Sequence, residues 1–242
     1  MEFDPISRNG TVSDTIFARL VQEILSGRWP AGERAPSERE LALAWQVNRH
    51  AVREALKRVR QARLVRITHG GHTQVLDWRT HAGLDMLAEL AAVGVVPPMS
   101  ILADLAVMRR AIGVDAARRC ALRADDEQLA AVSAAAEAYP QSADLAALRD
   151  ADLVLWTAII IGSGNLAYRL ALNTLVGSID DVGRELFLHL HEAEFNDRAA
   201  HLELAAAITA RQADTAARLA HEQLSQLVDV FGADGPGRAA AE

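Results

Sequence analysis

The segment HGGHTQV, residues 69–75, contains histidines and glycines whose types and spacing suggest a chemical role. His69 and His72 flank Gly70 and Gly71, an arrangement compatible with half a metal site, a phosphate-binding loop or the tip of a β-hairpin. A metal site lacks further Cys or His ligands in the adjoining hairpin. A phosphate loop needs a following helix whose N-terminus binds the anion, whereas a strand is predicted here. We therefore interpret the segment as a hairpin tip.

Elsewhere the chain carries no nucleophile or cofactor motif of the G-x-S-x-G, P-loop, G-x-G-x-x-G or H-E-x-x-H type. Cys120 lies beside Arg118 and Arg119, which would lower its pKa, but its apolar helix favours a buried and inert thiol. His189 and His191 are two residues apart on a predicted helix and so point in different directions. We interpret them as surface or core-edge residues, and we expect the chain not to be an enzyme.

Composition favours a helical protein. Of the 242 residues 50% are hydrophobic but only 5% are aromatic, which suits close-packed helices better than β-sandwiches. The single cysteine excludes an intramolecular disulfide framework and fits a reducing compartment. No apolar run approaches the roughly 20 residues that span a bilayer, and MEFDPISRNG does not resemble a signal peptide. We expect a cytoplasmic protein that does not contact membranes.

Charge is distributed unevenly along the chain. Residues 1–80 carry 13 basic and 9 acidic side chains, whereas residues 81–242 carry 12 basic and 23 acidic ones. The balances of +4 and −11 indicate two modules, of which the first faces a polyanion. An ordinary solvated surface is the alternative explanation for so small a surplus.

Two helices joined by a short turn are predicted in the N-terminal third, after a first amphipathic helix at residues 14–26. SERELALAW opens with a Ser-x-x-Glu capping box, and Asn48 is a suitable N-cap for RHAVREALKRVRQAR at 49–63. The strands LVRIT and TQVLDW follow, on either side of the glycine pair. Three helices and a short β-hairpin make a winged helix-turn-helix.

The second helix of such a pair can enter the major groove of DNA, where arginine side chains bind guanine edges and phosphates. Arg49, His50 and Arg53 lie mostly off the apolar face of this helix. A solvated basic helix within a small bundle is the alternative interpretation of the same residues.

Beyond the hairpin the sequence reads as helical nearly throughout. We predict a winged-helix domain at residues 1–78 and an antiparallel bundle of six or seven helices at residues 79–231. The glycine-rich tail, residues 232–242, is expected to be disordered.

The segment LSGRWPAGERAPSERELALAWQVNRHAVREALKRVRQARLVRITHGGHTQV resembles the winged-helix domain of the GntR family of bacterial transcription regulators. The family pattern runs from G-x-x-x-P-G through P-S-E-R-E-L-A and R-x-x-V-R-E-A-L to the wing. The resemblance implies DNA-contacting roles for Arg39, Arg49, Arg53, His69 and Gly70. We add the residues that open the recognition helix, Asn48 and His50. His50 replaces a residue that is usually a small hydroxyl, so no base preference is transferred to it.

The helical remainder is similar to the effector domain of the FadR branch of this family, which encloses a ligand cavity. WRTHAGLDMLAEL and GSGNLAY also resemble the fatty-acyl-responsive regulator that gives the branch its name. This implies a homodimeric repressor that binds a palindromic operator on double-stranded DNA. It also implies a small-molecule effector, an acyl-CoA or a carboxylate.

Many effector domains of this kind bind a divalent metal through one Asp and three His residues, the first two as D-x-x-x-H. In this chain Asp152 fits the first position, but Trp156 stands at the second. His201 fits the third, and Gln223 occupies the fourth; His221, two residues earlier, faces another side of its helix. We therefore expect no metal and no other cofactor, and we predict an effector pocket containing Asp152, Trp156 and His201.

The leading hypothesis is thus an effector-responsive DNA-binding transcription regulator. The competing hypothesis is a helical metal-dependent or small-ligand-binding protein that does not bind DNA. Trp156 and Gln223 weaken this hypothesis, because they occupy two positions where histidine ligands of a metal would be needed. The sequence leaves open the effector, the operator, the regulated genes and whether DNA binding represses or activates them.

Overall fold

A computed structural model of the chain describes residues 12–68 and 71–232. The chain divides into two compact units, and the boundary between them lies between Val96 and Pro97. This boundary lies beyond the one expected at residue 78, because the helix Leu87–Val93 in the linking segment packs against the helix Val12–Leu25 of the winged helix. The disordered tail expected at residues 232–242 falls almost wholly outside the described residues.

The N-terminal unit consists of short helices around a two-stranded hairpin, as the sequence predicts. Its elements are α1 (Val12–Leu25), α2 (Glu38–Trp45), α3 (Arg49–Gln61), β1 (Val65–Ile67), β2 (Thr73–Val75), α4 (Trp78–His81), a 3₁₀ turn (Leu84–Met86) and α5 (Leu87–Val93). The strands are antiparallel, with Val65 opposite Val75 and Ile67 opposite Thr73.

Side-chain caps define the helix-turn-helix. The Ser37 hydroxyl accepts a hydrogen bond from the Glu40 amide, and the Glu40 carboxylate accepts one from the Ser37 amide, so the predicted capping box is present. The α2 helix ends at Gln46 in the left-handed conformation (φ 54°). Asn48 Oδ1 then accepts from the His50 amide at 2.8 Å and starts α3. The turn between the helices is therefore fixed at both ends.

Packing between α1 and α3 forms the core of the N-terminal unit. Leu20 and Val21 of α1 and Val52, Ala55 and Val59 of α3 are almost fully buried. These α3 residues recur at the spacing of one helix face, so the opposite face is left to its polar side chains. The core thereby sets which side of α3 is exposed.

The C-terminal unit is a helical bundle, as expected. Within its described part, residues 97–232, the helices are α6 (Pro98–Arg123), α7 (Asp126–Glu137), α8 (Leu145–Gly162), α9 (Leu166–Leu190), α10 (Glu192–Asn196), α11 (Arg198–Thr209) and α12 (Ala213–Val230). The backbone leaves the helical region at Gly183 (φ 168°, ψ 73°), so α9 consists of two segments that meet at a kink.

Small residues allow the helices of the bundle to approach closely. Gly162 of α8 lies against Cys120 of α6, where an added Cβ would be 2.5 Å from the Cys120 sulfur. Gly113 of α6 faces the indole of Trp156 and a methyl group of Leu224. The missing side chain at Gly113 therefore makes room for the large indole inside the bundle. Over the part of the chain that the structure covers, no helix has the length and hydrophobicity needed to cross a membrane.

Candidate nucleic-acid interface and effector site

A basic face runs along the recognition helix α3. Arg49, Arg53, Lys57 and Arg60 are all exposed, whereas Val59 on the opposite face is fully buried. The spacing of four, four and three residues places the four cations along one side of the helix. This side is therefore available to a polyanion.

These cations form one wall of an open groove of about 460 Å³ between α3, the start of α2 and the hairpin. Among the described residues, the groove is lined by six basic side chains and one acidic side chain, Glu38; the basic ones are Arg34, Arg39, Arg49, Arg53, Lys57 and Arg60. Gly71 and His72 belong to the hairpin side of the groove. Such a concave, strongly positive surface matches the phosphates and groove edges of a nucleic acid.

The segment before α2 joins the hairpin and positions Arg34. The Ala35 amide donates to the Thr73 carbonyl, and the Val75 amide donates to the Glu33 carbonyl, each at 2.9 Å. Arg34 pairs with Gln74 in an antiparallel bridge. The wing therefore has a third extended segment beside β2. Sequence reasoning missed Arg34 because this pairing joins residues 40 apart in the chain.

An ion pair stands inside this groove. The Arg53 Nε and Nη2 atoms lie 3.1 Å from Glu38 Oε2, and Nε is also 3.3 Å from Oε1. The two side chains are 51% and 32% exposed, so solvent weakens the attraction and it adds little to folding stability. Its geometry instead fixes where the Arg53 guanidinium lies.

The predicted DNA-contacting residues occupy different places. Arg39, Arg49 and Arg53 line the groove; His50 is exposed on α3 but is not among the lining residues, and Asn48 caps the helix. His69 and Gly70 lie outside the described residues. Lys57 and Arg60 were missing from the predicted set although their spacing from Arg53 indicates the same face. His72, placed at the predicted hairpin tip, is half-buried and lines the groove.

In the C-terminal unit, two of the predicted effector-pocket residues meet. His201 Nε2 of α11 lies 3.2 Å from Asp152 Oδ1 of α8. His201 is 0% exposed, and its ring stacks on Tyr139 with centroids 4.2 Å apart. Asp152 is also buried. These two polar side chains therefore contact each other directly inside the bundle.

Arg109 and Glu194 complete this cluster, although no sequence pattern predicts that they meet. Arg109 Nη1 is 2.9 Å from Glu194 Oε2, Nη2 is 2.6 Å from Oε1, and Nη2 is also 3.3 Å from Asp152 Oδ2. The Glu194 side chain is 1% exposed. A buried guanidinium thus bridges two buried carboxylates, which satisfies charges that would otherwise be costly to bury.

The cluster shifts the protonation of its members. Burial alone would raise the pKa of Asp152, but the hydrogen bond with His201 and the charge of Arg109 hold that pKa below its usual value. Burial raises the pKa of Glu194, an effect that Arg109 only partly offsets. For His201, burial is outweighed by the hydrogen bond and charge of Asp152, so its pKa is raised.

Hydrogen-bond geometry also indicates a protonated His201. Its Nδ1 lies 2.7 Å from the Asp197 carbonyl and so carries a proton. Nε2 faces the Asp152 carboxylate and must then donate as well, which makes the ring an imidazolium. The Gln223 carboxamide nitrogen lies 2.8 Å from Nε2, and a 180° turn of the carboxamide, which exchanges its nitrogen and oxygen, places an acceptor toward the protonated ring.

Trp156, the third predicted effector-pocket residue, lines a cavity of about 60 Å³ beside this cluster. The lining is mostly apolar and includes Ile112, Leu153, Ile160, Leu175, Phe187 and Phe195; the polar residues among those described are Arg109, Arg149 and Asp152. Trp156 is 4% exposed, and its Nε1–H has no acceptor among the described residues.

His191 is buried rather than at the surface or core edge. Its Nδ1 lies 2.8 Å from the Phe187 carbonyl, and its ring packs on Phe187 and Phe195. Burial lowers the pKa of His191 to about 3, so it is neutral at physiological pH. His189, by contrast, is exposed, as interpreted. Cys120 is fully buried, and burial raises its pKa to about 11, which agrees with an inert thiol.

The residues of the cluster do not fit a divalent metal. An indole has no lone pair for coordination, and the Arg109 guanidinium already sits on the Asp152 carboxylate. His221 is exposed, with its Nδ1 3.2 Å from the Ser225 hydroxyl. Among the residues with described positions, no group of three or more His, Cys, Asp or Glu side chains is arranged to hold a metal ion.

Comparison with known proteins matches both units. Residues 12–75 match the model of bacterial regulatory proteins of the gntR family, and residues 104–226 match the FCD domain. The chain is 32% identical over 173 residues to the HTH-type transcriptional regulator Mce2R of Mycobacterium tuberculosis, covering 72% of each protein. It is 30% identical over 213 residues to the fatty acid metabolism regulator protein of Edwardsiella ictaluri, covering 88% of this chain and 84% of that protein.

The chain is also similar in fold to a solved structure of low sequence identity. Lar, described as controlling the expression of the Listeria monocytogenes agr system, superposes with a TM-score of 0.54. The match covers 92% of this chain and 97% of Lar at 14% identity, so it concerns the fold alone. The matched families and relatives are regulators and not enzymes. The chain belongs to the gntR family of bacterial regulatory proteins and is a DNA-binding transcription regulator with an FCD effector-binding domain.

Proposed function

We propose that this regulator is a homodimeric repressor that releases a palindromic operator when a small, partly apolar effector enters the cavity beside Trp156. The observation that supports DNA binding is the groove, whose described lining contains six arginine and lysine side chains and one acidic side chain. The effector part is supported by the mostly apolar cavity.

Binding to DNA combines two kinds of contact at this groove. Cations such as Arg34 and Arg60 neutralise phosphates and contribute affinity that is independent of sequence but sensitive to salt. Arginines at the start of α3, above all Arg49, read guanine edges in the major groove. We propose that the wing residue His69 and its neighbour Gly70 contact the adjacent DNA backbone, as the family resemblance implies.

A dimer is proposed because one winged helix covers only a half-site. Two copies related by a two-fold axis present two recognition helices to a palindrome and multiply their separate affinities. The effector then acts by stabilising an orientation of the two heads that no longer fits both half-sites, which is a shift between pre-existing states. Sedimentation of the purified protein with and without operator DNA measures the stoichiometry.

An acyl compound is the proposed class of effector, either as an acyl-CoA or as a carboxylate. Relatives named fatty acid metabolism regulator support this class. A cavity of about 60 Å³ holds only a few water-sized groups, so a longer acyl chain requires the surrounding helices to separate. Such a separation is the kind of movement through which a ligand in the bundle would alter the dimer.

We also propose that the polar cluster functions without a metal. Arg109 and protonated His201 neutralise Asp152 and Glu194, so no divalent cation is needed to balance the buried carboxylates. Metal analysis of protein purified without chelator tests this proposal. Less than one-tenth of an equivalent of transition metal is expected, and a stoichiometric amount would overturn it.

Fluorescence anisotropy with the DNA upstream of the protein's own gene tests the proposed interface. Arg49→Ala and Arg53→Ala are expected to weaken binding by about five- to a hundredfold, since each removes a contact worth roughly 1–3 kcal/mol. Arg28→Ala is the matched control, because Arg28 belongs to the same unit, pairs with Glu23 and does not line the groove. Equal affinities for all three variants and the wild type would refute the assignment of α3.

A further inference from the structure

We propose that Ile67, on the hairpin wall of the basic groove, packs against the deoxyribose rings of the DNA strand that lies in this groove. The contact adds affinity that depends on neither the salt concentration nor the base sequence. This inference rests on the proposed role of the groove as the DNA-binding surface. It concerns the apolar part of the DNA backbone, whereas the arginine and lysine side chains of the groove act on its phosphates.

The first argument is the direction in which the Ile67 side chain points. Val65 and Ile67 both belong to the described lining of the groove, and Arg66 between them does not. Because successive side chains of a strand point to opposite faces, the side chains of Val65 and Ile67 face the groove. Arg66 lies on the other face of the hairpin, where its Nε donates a hydrogen bond to Gln74 Oε1 at 3.0 Å.

The second argument is the exposure of this apolar side chain. Val65 is 3% exposed, whereas Ile67 is 56% exposed. Thr73, which stands opposite Ile67 in the hairpin, is half-buried and also lines the groove. The hairpin wall therefore presents an apolar side chain that the fold leaves in contact with solvent. A partner that removes this surface from water gains affinity.

The third argument is the contrast between the two walls of the groove. The wall opposite the hairpin carries the basic side chains of α3, namely Arg49, Arg53, Lys57 and Arg60. A DNA strand has the same two characters, since its phosphates are anionic and the carbon atoms of its sugars are apolar. A strand with its phosphates toward α3 therefore presents its deoxyribose rings to Ile67.

The width of the DNA grooves indicates a sugar and not a base as the partner. The major groove is about 12 Å wide, and a helix with its side chains is about 10–12 Å across, so α3 alone fills it. The hairpin stands on the other side of the protein groove and must lie over the backbone that borders the major groove. Ile67 therefore contacts deoxyribose and not the methyl group of a thymine.

Fluorescence anisotropy of full-length Ile67→Ala over a series of salt concentrations tests the proposal. Its affinity is expected to fall about three- to tenfold for both the upstream DNA and a scrambled duplex. The slope of log affinity against log salt should not change, because no phosphate contact is lost. Arg60→Ala, by comparison, should make the slope shallower by about 0.9 per protomer. No loss, a loss confined to the upstream DNA, or a changed slope in Ile67→Ala would overturn the proposal.

Two further variants separate this contact from the stability of the hairpin. Ile67→Val keeps a β-branched strand residue and most of the apolar surface, so its loss of affinity should stay below about twofold. Val12→Ala is the matched control, because Val12 is 59% exposed in the same unit and does not line the groove. A loss of affinity in Ile67→Ala no greater than the control's, or a larger fall of its unfolding midpoint in urea, would contradict the contact.

Replacement of thymidine by deoxyuridine throughout the upstream DNA removes the methyl groups and leaves the sugars unchanged. The ratio of wild-type affinity to Ile67→Ala affinity should be the same for this duplex as for the natural one. A ratio that falls to about one would show that Ile67 contacts a thymine methyl group, and the assignment to deoxyribose would be wrong.

Arg49→Ala and Arg53→Ala, titrated alongside, distinguish this inference from the proposed function. If the arginine variants weaken binding and Ile67→Ala does not, the groove binds DNA without the apolar contact and only this inference fails. If none of the three variants changes the affinity, the groove is not the DNA-binding surface and the proposed interface fails as well.

Discussion

Asp152 and His201 are 49 residues apart in sequence, yet His201 Nε2 lies 3.2 Å from Asp152 Oδ1 in the interior of the helical bundle. Arg109 contacts the second oxygen of the same carboxylate. The carboxylate is therefore held by a guanidinium on one side and an imidazolium on the other. Both oxygens of this buried carboxylate therefore have a partner side chain within the bundle.

Removing the partner of the buried guanidinium should destabilise the bundle. In Glu194→Gln, Arg109 keeps Asp152 but loses a two-point contact with a side chain that is 1% exposed. We expect the free energy of unfolding, measured in urea, to fall by about 3–5 kcal/mol. The matched control is Glu192→Gln, an exposed position on the same short helix. A loss no greater than the control's would show that the pair contributes nothing to stability.

His191 should make the protein sensitive to acid. Its pKa is about 3 in the folded chain against an ordinary value of 6.5, so between these values the unfolded chain binds more protons. Stability is therefore lost as the pH falls below about 6.5, by roughly 2 kcal/mol at pH 5. His191→Gln should flatten this dependence in urea titrations at a series of pH values.

The exposed neighbour His189 supplies the control for that series. His189→Gln should follow the wild-type pH dependence, because this side chain is in contact with solvent. If His191→Gln and His189→Gln lose the same stability between pH 7 and pH 5, the burial of His191 is not the source of the acid sensitivity.

Glu38 should restrain binding to non-specific DNA. It is the acidic residue among the groove residues that the structure describes, and it holds Arg53 through three contacts of 3.1–3.3 Å. In Glu38→Gln, the Arg53 guanidinium is free to contact a phosphate. We expect the slope of log affinity against log salt for a scrambled duplex to steepen by about 0.9 per protomer.

Glu23→Gln provides the comparison for this measurement, since Glu23 pairs with Arg28 outside the groove. An unchanged slope in Glu38→Gln would mean that the ion pair does not compete with DNA. A merely structural role at the start of α2 would lower stability without changing the slope.

Local sequence signals predicted the elements more completely than the sites. Ser37, Glu40 and Asn48 cap their helices where expected, because capping depends on residues two or three positions apart. Arg109 and Glu194 could not be paired from sequence, since they are 85 residues apart and helix periodicity does not fix which faces meet. Arg34 joined the groove through a strand pairing that its turn-like sequence did not indicate.

The burial of individual histidines could not be predicted from the sequence either. His189 and His191 have similar sequence surroundings, but the chain near α10 buries one and exposes the other. The four-residue spacing from Asp152 was enough to show that Trp156 stands where the metal-binding pattern has a histidine. The use of the indole as a cavity wall depended on Gly113, which lies on a different helix and leaves space for the ring.

The most direct test of the central claim, that this groove binds operator DNA, is a salt series of anisotropy titrations. The wild-type protein is titrated against its own upstream DNA and against a scrambled duplex of equal length. The six arginine and lysine side chains described in the groove predict an affinity that falls steeply as the salt concentration rises. Specific binding also predicts at least about a hundredfold preference for the upstream DNA. Equal affinities for the two duplexes, or an affinity that does not change with salt, would contradict the account.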